Sequence, residues 1–571
     1  MRYLVLATDY DGTLATDGKV DDATLNALVR LRASGRKLLL VTGRELPDLK
    51  RVFPRLDLFD RVVADNGGLL YQPATRAERL LCEAPNPRFV ALLRERNVPV
   101  SVGRAVVASW EPHDAEVLRA IRELGLDLQV AFNKGSVMVL PAGINKGSGL
   151  LTALDELGIS PHNVVSVGDA ENDHSFLRIS ECAAAVANAL PALKERADVV
   201  LQNARGAGVV ELAEKIIADD LLGVDASIHR HAISLGLRAR DSSQPVSISQ
   251  RAGSILVAGS SGSGKSTTVA GILEQLAQQG YQFCVLDPEG DYDGSAGLLT
   301  FGTAKEPPDT KAALRALNLP QQSVLINLLG VKLDDRPGYF ASLLPLIQEM
   351  HLRTARPHWL VVDEAHHLLP ADWAPATNTV SQLLESAILT TVHPEHVAKS
   401  ALDPVKILVA VGKAPMQTFR TFATVVQTAP PPGDEVELAT GEALVWFRDS
   451  AQPPIRVHAV QGAPERRRHS RQYSEGELSP QQSFYFRGPD ATLNLRAQNL
   501  KTFLQMAEGV DDRTWMYHLR RGDYSHWFRT MIKDDDLARE TAAIEQDETA
   551  SPQASRQMIR QAVSDRYTAP A

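Results

Sequence analysis

The chain has 571 residues, of which 44% are hydrophobic and 23% are charged. This length exceeds one ordinary hydrophobic core, so we expect about three to four domains. The composition is typical of a globular protein and excludes a disordered one. The net charge of −9 gives no global reason to expect nucleic acid or an acidic membrane as a partner.

No stretch approaches the ~18 uninterrupted apolar residues of a membrane span, so we expect no contact with membranes. Three cysteines, Cys82, Cys182 and Cys284, lie far apart and have no metal-binding spacing. They are expected to be buried thiols in a reducing compartment, which favours a cytoplasmic location.

Residues 1–220 alternate short apolar runs with amphipathic helical stretches. This alternation predicts parallel strands in a doubly wound α/β sheet. At 83–142 the pattern changes to α+β, which predicts an insertion between core segments 1–82 and 143–220. Residues 221–250 have no strong helical period and are interpreted as a linker with lead-in strands.

Asp9 and Asp11 directly follow the predicted strand 4–8, in the string DYDGT. Residues i and i+2 at a strand end point the same way, and ligands bind at the carboxyl ends of such sheets. The two carboxylates are therefore expected to share a cleft, where one attacks phosphorus and the other protonates the leaving oxygen. A simple turn after a strand is the alternative for this string alone.

Three further motifs follow in chain order. Residues 42–44 (Thr-Gly-Arg) end the next strand, where a hydroxyl and free amides suit a phosphate. Lys146 starts a helix and can neutralise a phosphoryl group, and the segment from Asp169 to Asp173 offers carboxylates for Mg²⁺. Singly these residues are helix caps or surface charges, but four motifs in order at successive strand ends favour one site.

These motifs resemble the haloacid dehalogenase superfamily of phosphatases over about 1–215, and the insertion resembles the large cap of its Cof-type branch. The resemblance implies that Asp9 is the nucleophile, Asp11 the acid/base, and Thr42 and Lys146 the phosphate ligands. Such caps imply a small phosphorylated metabolite as substrate, with a sugar phosphate favoured. The implied substrate contacts are Gly43, Asn66, Gly67 and Asn172, and the implied Mg²⁺ ligands are Asp9, the Asp11 carbonyl, Asp169 and Asp173.

A second βα alternation occupies residues 251–460. The string GSSGSGKS fits G-x-x-x-x-G-K-[ST], follows an apolar strand and opens a helix, which is the context of a P-loop. Lys265 is expected to reach the outer phosphates of ATP, and Ser266 to hold Mg²⁺. The predicted ATP-binding residues are Gly259, Ser260, Ser261, Gly262, Ser263, Gly264, Lys265, Ser266 and Thr267.

Asp363 and Glu364 end another apolar strand, HWLVV. We expect Asp363 to orient Mg²⁺ through water and Glu364 to activate the attacking water, which favours ATP hydrolysis. A buried strand followed by a helix cap is the alternative. The four letters DEAH at 363–366 spell a helicase box, but no other helicase motif accompanies them.

FCVLDPEGDY (283–292) resembles a motif of the HerA/VirB4-type ATPases, P-loop motors that commonly work as rings. The resemblance spans about 250–460 and implies a ring-forming homo-oligomer. Val392 departs from it, because that family usually places a glutamine there. Arg420 and Arg448 are candidates for an arginine finger, with ordinary surface charges as the alternative.

The C-terminal segment is interpreted as a linker (461–482), a helical domain (483–545) and a disordered tail (546–571). Aromatic residues beside arginines form either a stacking surface for nucleic acid or the core of the helical domain, and we favour the core. These aromatics are Trp515, Tyr517, Trp527 and Phe528. Separately, one helical face is predicted to carry Leu493, Ala497, Leu500, Leu504 and Ala507.

The leading hypothesis is a bifunctional enzyme, a metabolite phosphatase fused to an ATPase. One alternative is a nucleic-acid end-processing phosphatase coupled to a DNA-translocating ATPase, although nucleic acid is the less favoured partner. Another is a ring-forming ATPase whose phosphatase fold acts as a sensor.

Overall fold

The computed structural model describes residues 1–133, 135–260, 262–292, 297–373, 384–450, 452–462, 478, 483–490, 493–532, 534–547 and 549–567. The chain forms two compact units, Met1–Gln461 and Gly462–Ala571. Ser261 and most of the predicted linker 461–482 lie outside the described residues.

The N-terminal elements run in the predicted alternation of strands and helices. Before the insertion they are β1 (Val5–Thr8), α1 (Asp22–Ala33), β2 (Lys37–Val41), α2 (Leu46–Val52), β3 (Arg61–Ala64), β4 (Leu69–Gln72) and β5 (Ala77–Leu80). The insertion holds α3 (Pro87–Glu95), β6 (Ser101–Val102), β7 (Val107–Trp110), α4 (Asp114–Leu124), β8 (Leu128–Asn133) and β9 (Ser136–Pro141). After it come α5 (Lys146–Leu157), β10 (Val164–Gly168), α6 (His174–Ile179), β11 (Cys182–Ala185), α7 (Pro191–Lys194), β12 (Val199–Val200) and α8 (Arg205–Asp219).

These strands form two sheets. The first has the order β12-β11-β10-β1-β2-β3-β4-β5 and is parallel from β12 to β3. Its central strands are buried along their length because helices cover both faces, as the apolar runs predicted. The inserted residues form a separate antiparallel sheet, β6-β7-β9-β8, which we call the cap sheet.

A second large sheet follows in the same compact unit. Its elements are β13 (Ile233–Arg238), β14 (Asp241–Ile248), β15 (Ser254–Ala258), α9 (Lys265–Gln279), β16 (Phe283–Asp287), β17 (Leu298–Phe301), α10 (Thr310–Leu317), β18 (Ser323–Asn327), α11 (Arg336–Thr354), β19 (Trp359–Val362), β20 (Ala387–Thr391), α12 (Lys399–Leu402), β21 (Val405–Val411), α13 (Pro415–Val426), β22 (Glu442–Phe447) and β23 (Ile455–Ala459). The order is β14-β13-β23-β22-β21-β15-β20-β19-β16-β18-β17. The multidomain α/β fold class is thereby confirmed.

The two large sheets meet through a buried polar cluster. Glu181 forms an ion pair with Arg2 and accepts hydrogen bonds from the Tyr281 hydroxyl at 2.9 and 3.0 Å. His162 binds Glu181 Oε2 through Nδ1 at 2.7 Å and the carbonyl of Gln279 through Nε2 at 2.9 Å. Burial alone would raise the pKa of Glu181, but Arg2 and His162 outweigh it and lower that pKa. Because Gln279 ends α9, this cluster ties the P-loop helix to the first sheet.

The second unit contains β24 (Phe484–Phe486), β25 (Leu495–Ala497), α14 (Leu500–Gly509), α15 (Asp512–Arg521), α16 (Asp523–Thr530), α17 (Asp535–Gln546) and α18 (Pro552–Tyr567). The predicted helical face was wrong at its start, because Leu493 precedes β25 and Ala497 ends it. Trp515, Trp527 and Phe528 are buried in the core of this unit, as favoured from the sequence, whereas Tyr517 is half-buried and is not part of it.

The prediction of a disordered tail from residue 546 was also wrong. Residues 552–567 form α18, which buries Ile559, Ala562 and Val563 in the same core as Trp515. The segment is mostly polar and has few apolar residues, so its sequence gave only a weak indication of a buried helical face.

Two smaller expectations concern cysteines and membranes. Cys182 and Cys284 are buried thiols, but Cys82 is only half-buried, contrary to the prediction. A helix able to span a bilayer is not found among the described residues.

Candidate active sites

The carboxyl edge of the first sheet brings the predicted motifs together. β1 lies between β10 and β2 and runs parallel to both, so the residues after these three strands meet at one edge. Asp9, Thr42 and Asp169 follow the three strands and are buried there. Lys146 starts α5 and is buried at the same edge.

Lys146 connects two carboxylates at the centre of this edge. Its Nζ lies 2.6 Å from Asp9 Oδ1 and 2.6 Å from Asp173 Oδ1, and its side chain is 1% exposed. Asp173 Oδ2 accepts hydrogen bonds from the backbone amides of Asp169 and Ala170 at 2.8 and 2.9 Å. Asp9, Lys146, Asp169 and Asp173 therefore form one buried network, which we call the lysine network.

Burial and charge set the protonation of the lysine network. Burial raises the pKa of Asp9 to about 8, Lys146 opposes the rise, and Asp173 and Asp169 add to it. Burial alone would lower the pKa of Lys146, but Asp173 and Asp9 raise it above its ordinary value. Burial is the largest cause of the rise at Asp9 and the neighbouring carboxylates add to it, so an additional cation would stabilise the ionised form of Asp9.

Asp11 makes a different set of contacts. Each of its carboxylate oxygens accepts a hydrogen bond from Arg44 at 2.7 Å, and its side chain is 42% exposed. Arg44 also binds Asp48 Oδ2 at 2.5 Å. Asp9 is thus buried against Lys146, whereas Asp11 is held on the exposed side by Arg44. Arg44 lies in the predicted motif 42–44, but its side chain was assigned no role from the sequence.

The cap sheet lies over the same edge. A Cβ placed on Gly43 would lie 3.6 Å from Met138 Sδ and 4.0 Å from Asn133 Nδ2, both on cap strands, and 3.4 Å from Asn172 Nδ2. Asn172 Nδ2 donates to Asn66 Oδ1 at 3.0 Å. Three of the predicted substrate contacts, Gly43, Asn66 and Asn172, therefore lie together beneath the cap.

Gly67 has a packing reason to be glycine. Its φ is +107°, and a Cβ there would lie 2.0 Å from the carbonyl oxygen of Asn145. Asn145 caps the N-terminus of α5, so the absent side chain lets the start of that helix, and with it Lys146, approach the sheet. This packing accounts for a glycine at position 67, and its role as a substrate contact stays a prediction.

The carboxylates of the lysine network fit a divalent cation. Asp9, Asp169 and Asp173 each offer an oxygen within 4.8 Å of the others, and oxygen donors suit Mg²⁺. Thr13 Oγ1 donates to Asp169 Oδ1 at 3.2 Å and orients it. Both oxygens of Asp173 already bind Lys146 and backbone amides, so the fit is best with Asp9 and Asp169 as ligands and Asp173 behind them.

The second site lies after β15, where the loop approaches neighbouring backbone closely. Gly259 has a φ of +157°, and a Cβ there would lie 2.2 Å from the carbonyl oxygen of Val411. Lys265 begins α9, is 6% exposed, and places Nζ 3.5 Å from Glu364 Oε1. The loop and the first turn of α9 also hold the other described P-loop residues: Ser260, Gly262, Ser263, Gly264, Ser266 and Thr267.

Acidic side chains from neighbouring strand ends surround this loop. Asp291 accepts a hydrogen bond from Ser266 Oγ at 3.1 Å, and Asp363 accepts one from Thr390 Oγ1 at 2.7 Å. Burial, with Asp287 and Asp291 nearby, raises the pKa of Asp363 well above its ordinary value. Burial also raises the pKa of Asp287 to about 6. Such an excess of negative charge fits a nucleotide that arrives with Mg²⁺.

The two candidate arginine fingers are engaged within the chain. Arg420 pairs with Glu435 at 3.4 Å on the surface. Arg448 donates to the backbone carbonyls of Asp403 and Val405 at 2.8 and 3.3 Å, which fixes the start of β21. For Arg448 these contacts favour a structural role.

Comparison with known proteins bears on both halves of unit Met1–Gln461. Residues 6–107 and 116–212 match the haloacid dehalogenase-like hydrolase family. The chain is 30% identical over 224 residues to phosphoglycolate phosphatase 2 of Saccharolobus solfataricus, which covers 38% of this chain and 93% of that protein. The chain belongs to the haloacid dehalogenase-like hydrolases.

The chain is also similar to other proteins. It is 33% identical over 208 residues to the phosphoglycolate phosphatase of Halorubrum lacusprofundi, covering 34% of this chain and 89% of that protein. A solved haloacid dehalogenase-like hydrolase of Bacteroides thetaiotaomicron is 18% identical, with a TM-score of 0.34, and the match covers 38% of this chain and 99% of that one. Residues 234–413 match the central domain of helicase HerA. The chain therefore joins a phosphatase of this family to a HerA-like ATPase domain.

Replacing Gly67 by alanine should destabilise the hydrolase core by about 3 kcal/mol or more, because overpacking and backbone strain each cost about 1–3 kcal/mol. Gly125→Ala is the matched control, since Gly125 also has a positive φ (+61°) but has no atom within 4 Å of a built Cβ. The control should cost only ~1 kcal/mol. Native-state amide exchange of β3, β4 and α5 measures the difference, and equal effects of the two substitutions would contradict the packing role.

Proposed function

We propose that the hydrolase is a Mg²⁺-dependent phosphomonoesterase that works through an aspartyl phosphate on Asp9. The lysine network is the observation that carries this proposal. It brings a nucleophilic carboxylate, a cation for the phosphoryl oxygens and a second carboxylate into one buried edge beneath a cap. Proteins with open α/β sheets bind their ligands at the carboxyl ends of the strands.

In the first half-reaction, Asp9 attacks phosphorus while the bond from phosphorus to the leaving oxygen breaks and Asp11 protonates that oxygen. In the second half-reaction, the Asp11 carboxylate takes a proton from water as the water oxygen attacks phosphorus. Inorganic phosphate leaves and Asp9 is restored. Thr42 and Lys146 bind phosphoryl oxygens in both halves, and Arg44 positions Asp11.

Asp9, the Asp11 carbonyl and Asp169 are the proposed ligands of Mg²⁺. Bound there, the cation offsets the repulsion between the carboxylate of Asp9 and an anionic phosphate. Burial raises the pKa of Asp9, Asp173 and Asp169 add to the rise, and Lys146 offsets it only in part.

We propose a small phosphomonoester as the substrate. The side chains of Met138 and Asn133, both in the cap, lie within 4.0 Å of a Cβ built on Gly43. A leaving group beneath the cap therefore has to be small. Relatives named phosphoglycolate phosphatases make phosphoglycolate the first compound to test, ahead of the sugar phosphates expected from the sequence. The same cap disfavours the end of a nucleic-acid polymer.

We further propose that the HerA-like domain hydrolyses ATP. Lys265 would bind the outer phosphates, Ser266 and Asp363 would hold Mg²⁺ directly and through water, and Glu364 would accept the proton of the attacking water. A ring of several copies and movement along DNA remain proposals from the resemblance alone. The alternative in which the phosphatase fold is only a sensor is disfavoured, because Asp9, Lys146 and Asp169 are assembled together.

The phosphatase proposal predicts that Asp9→Asn lowers kcat/KM for phosphoglycolate by at least about 10⁴-fold, because the nucleophile is lost. Asp17→Asn, the same change at an exposed aspartate of the same loop, should retain wild-type activity. A screen should compare phosphoglycolate, sugar phosphates and 3′-phosphorylated oligonucleotides with and without a chelator of Mg²⁺. Activity confined to oligonucleotides, or turnover unaffected by the chelator, would contradict the proposal.

The ATPase proposal predicts that Lys265→Ala abolishes ATP turnover and weakens nucleotide binding, because the cation for the outer phosphates is lost. Glu364→Gln should lower kcat by about 10²–10⁴-fold while ATP still binds, because only the base is lost. Phosphate release and the affinity for a fluorescent ATP analogue measure the two effects separately. Wild-type turnover in either variant would exclude this site as the ATPase centre.

A further inference from the structure

The proposed base Glu364 is held in a constrained way. Its φ of 39° and ψ of 60° lie in the left-handed region, which is rare and strained for a residue other than glycine. Its backbone N–H donates to Thr390 Oγ1 at 2.8 Å. Such a conformation persists only where surrounding contacts fix it, so the backbone at this position is held by its neighbours.

The two carboxylate oxygens of Glu364 face different partners. Oε1 lies 3.5 Å from Lys265 Nζ and therefore faces the P-loop. Oε2 is buried and accepts no aligned hydrogen bond, but His366 Nδ1 lies 3.4 Å from it. A buried carboxylate oxygen without a donor is costly, so a short movement of the His366 ring would be favourable.

His366 also contacts the end of β20. Its Nδ1 lies 3.2 Å from Thr391 Oγ1, and Thr391 Oγ1 accepts a hydrogen bond from the backbone N–H of His393 at 3.1 Å. The first P-loop glycine, Gly259, donates its N–H to the carbonyl of Thr391 at 3.4 Å. His366 thus lies between the proposed base and the strand end that supports the P-loop.

The protonation of His366 suits a donor rather than a charge. Burial and the neighbouring histidines His367, His393 and His396 lower its pKa to about 4, so the ring is neutral near pH 7. A neutral imidazole carries one proton. An unprotonated Nδ1 would set a lone pair against Glu364 Oε2, so the neighbouring carboxylate favours the tautomer with the proton on Nδ1.

We propose that His366 is a positioning residue for ATP hydrolysis. After a short movement of the ring, its Nδ1–H bridges Glu364 Oε2 and Thr391 Oγ1. This anchors one oxygen of the base and leaves Oε1 directed at the P-loop to receive the proton of water. The proposal rests on Glu364 being the base. The side chain of Val392, the first residue after β20, is apolar and offers the carboxylate no donor.

Three variants test the role of His366. His366→Ala should lower kcat for ATP by about tenfold to 100-fold, with nucleotide affinity and KM within about twofold of wild type, because the base is loosened but remains present. His366→Asn, whose amide N–H occupies the place of Nδ1–H, should restore kcat to within about fivefold. His393→Ala, at an exposed histidine of the same cluster, should leave kcat unchanged.

A double-mutant cycle separates positioning from general damage. If His366 acts through Glu364, the variant that combines Glu364→Gln with His366→Ala should turn over no more slowly than Glu364→Gln alone. The proposal would be overturned if the two substitutions lowered kcat by the product of their separate effects. It would also be overturned if His366→Asn failed to restore kcat, or if His366→Ala lowered kcat and nucleotide affinity equally. If Glu364→Gln keeps wild-type turnover, the proposed ATPase mechanism itself fails. If Glu364→Gln loses turnover while His366→Ala keeps it, only the role of His366 fails.

Discussion

One buried ammonium group organises the hydrolase. Lys146 Nζ makes two hydrogen bonds of 2.6 Å to the carboxylates of Asp9, which follows β1, and Asp173, in the segment after β10. Truncating such a buried lysine would leave uncompensated charge, which costs about 3–5 kcal/mol. The contact requires three further features: a parallel sheet that aligns the strand ends, a helix that begins at Lys146, and Gly67, which lets that helix approach.

The HerA-like domain repeats this arrangement with a looser contact. Lys265 also begins a helix and faces carboxylates at strand ends, but its Nζ lies 3.5 Å from Glu364 Oε1. A P-loop lysine has to reorient its ammonium group toward the phosphates of a bound nucleotide. A weaker contact with Glu364 allows that movement. The two sites belong to one compact unit, and the cluster of Glu181, His162 and Tyr281 connects the end of the P-loop helix to the first sheet.

The features that could be predicted from the sequence are those encoded by residues that lie next to one another in the chain. Strands rich in valine and leucine, the four hydrolase motifs and the P-loop all carry local spacing that fixes their geometry. β11 was not predicted, because its sequence CAAA has low strand propensity and only burial between neighbours makes it a strand. Contacts between residues far apart in the sequence were also not predictable. Examples are the hydrogen bonds from Arg44 to Asp11 and the close approach of Gly67 to the carbonyl of Asn145. The string DEAH contains His366, but a role beside the base could be inferred only from its distance to Glu364 Oε2.

The central claim is that Asp9 receives the phosphoryl group. Borohydride reduces an aspartyl phosphate to homoserine, so rapid quenching during turnover of phosphoglycolate, followed by peptide mapping, locates the acyl phosphate directly. The account predicts homoserine at residue 9, only when substrate is present. Reduction at Asp11 instead, or steady turnover with residue 9 never modified, would contradict the account.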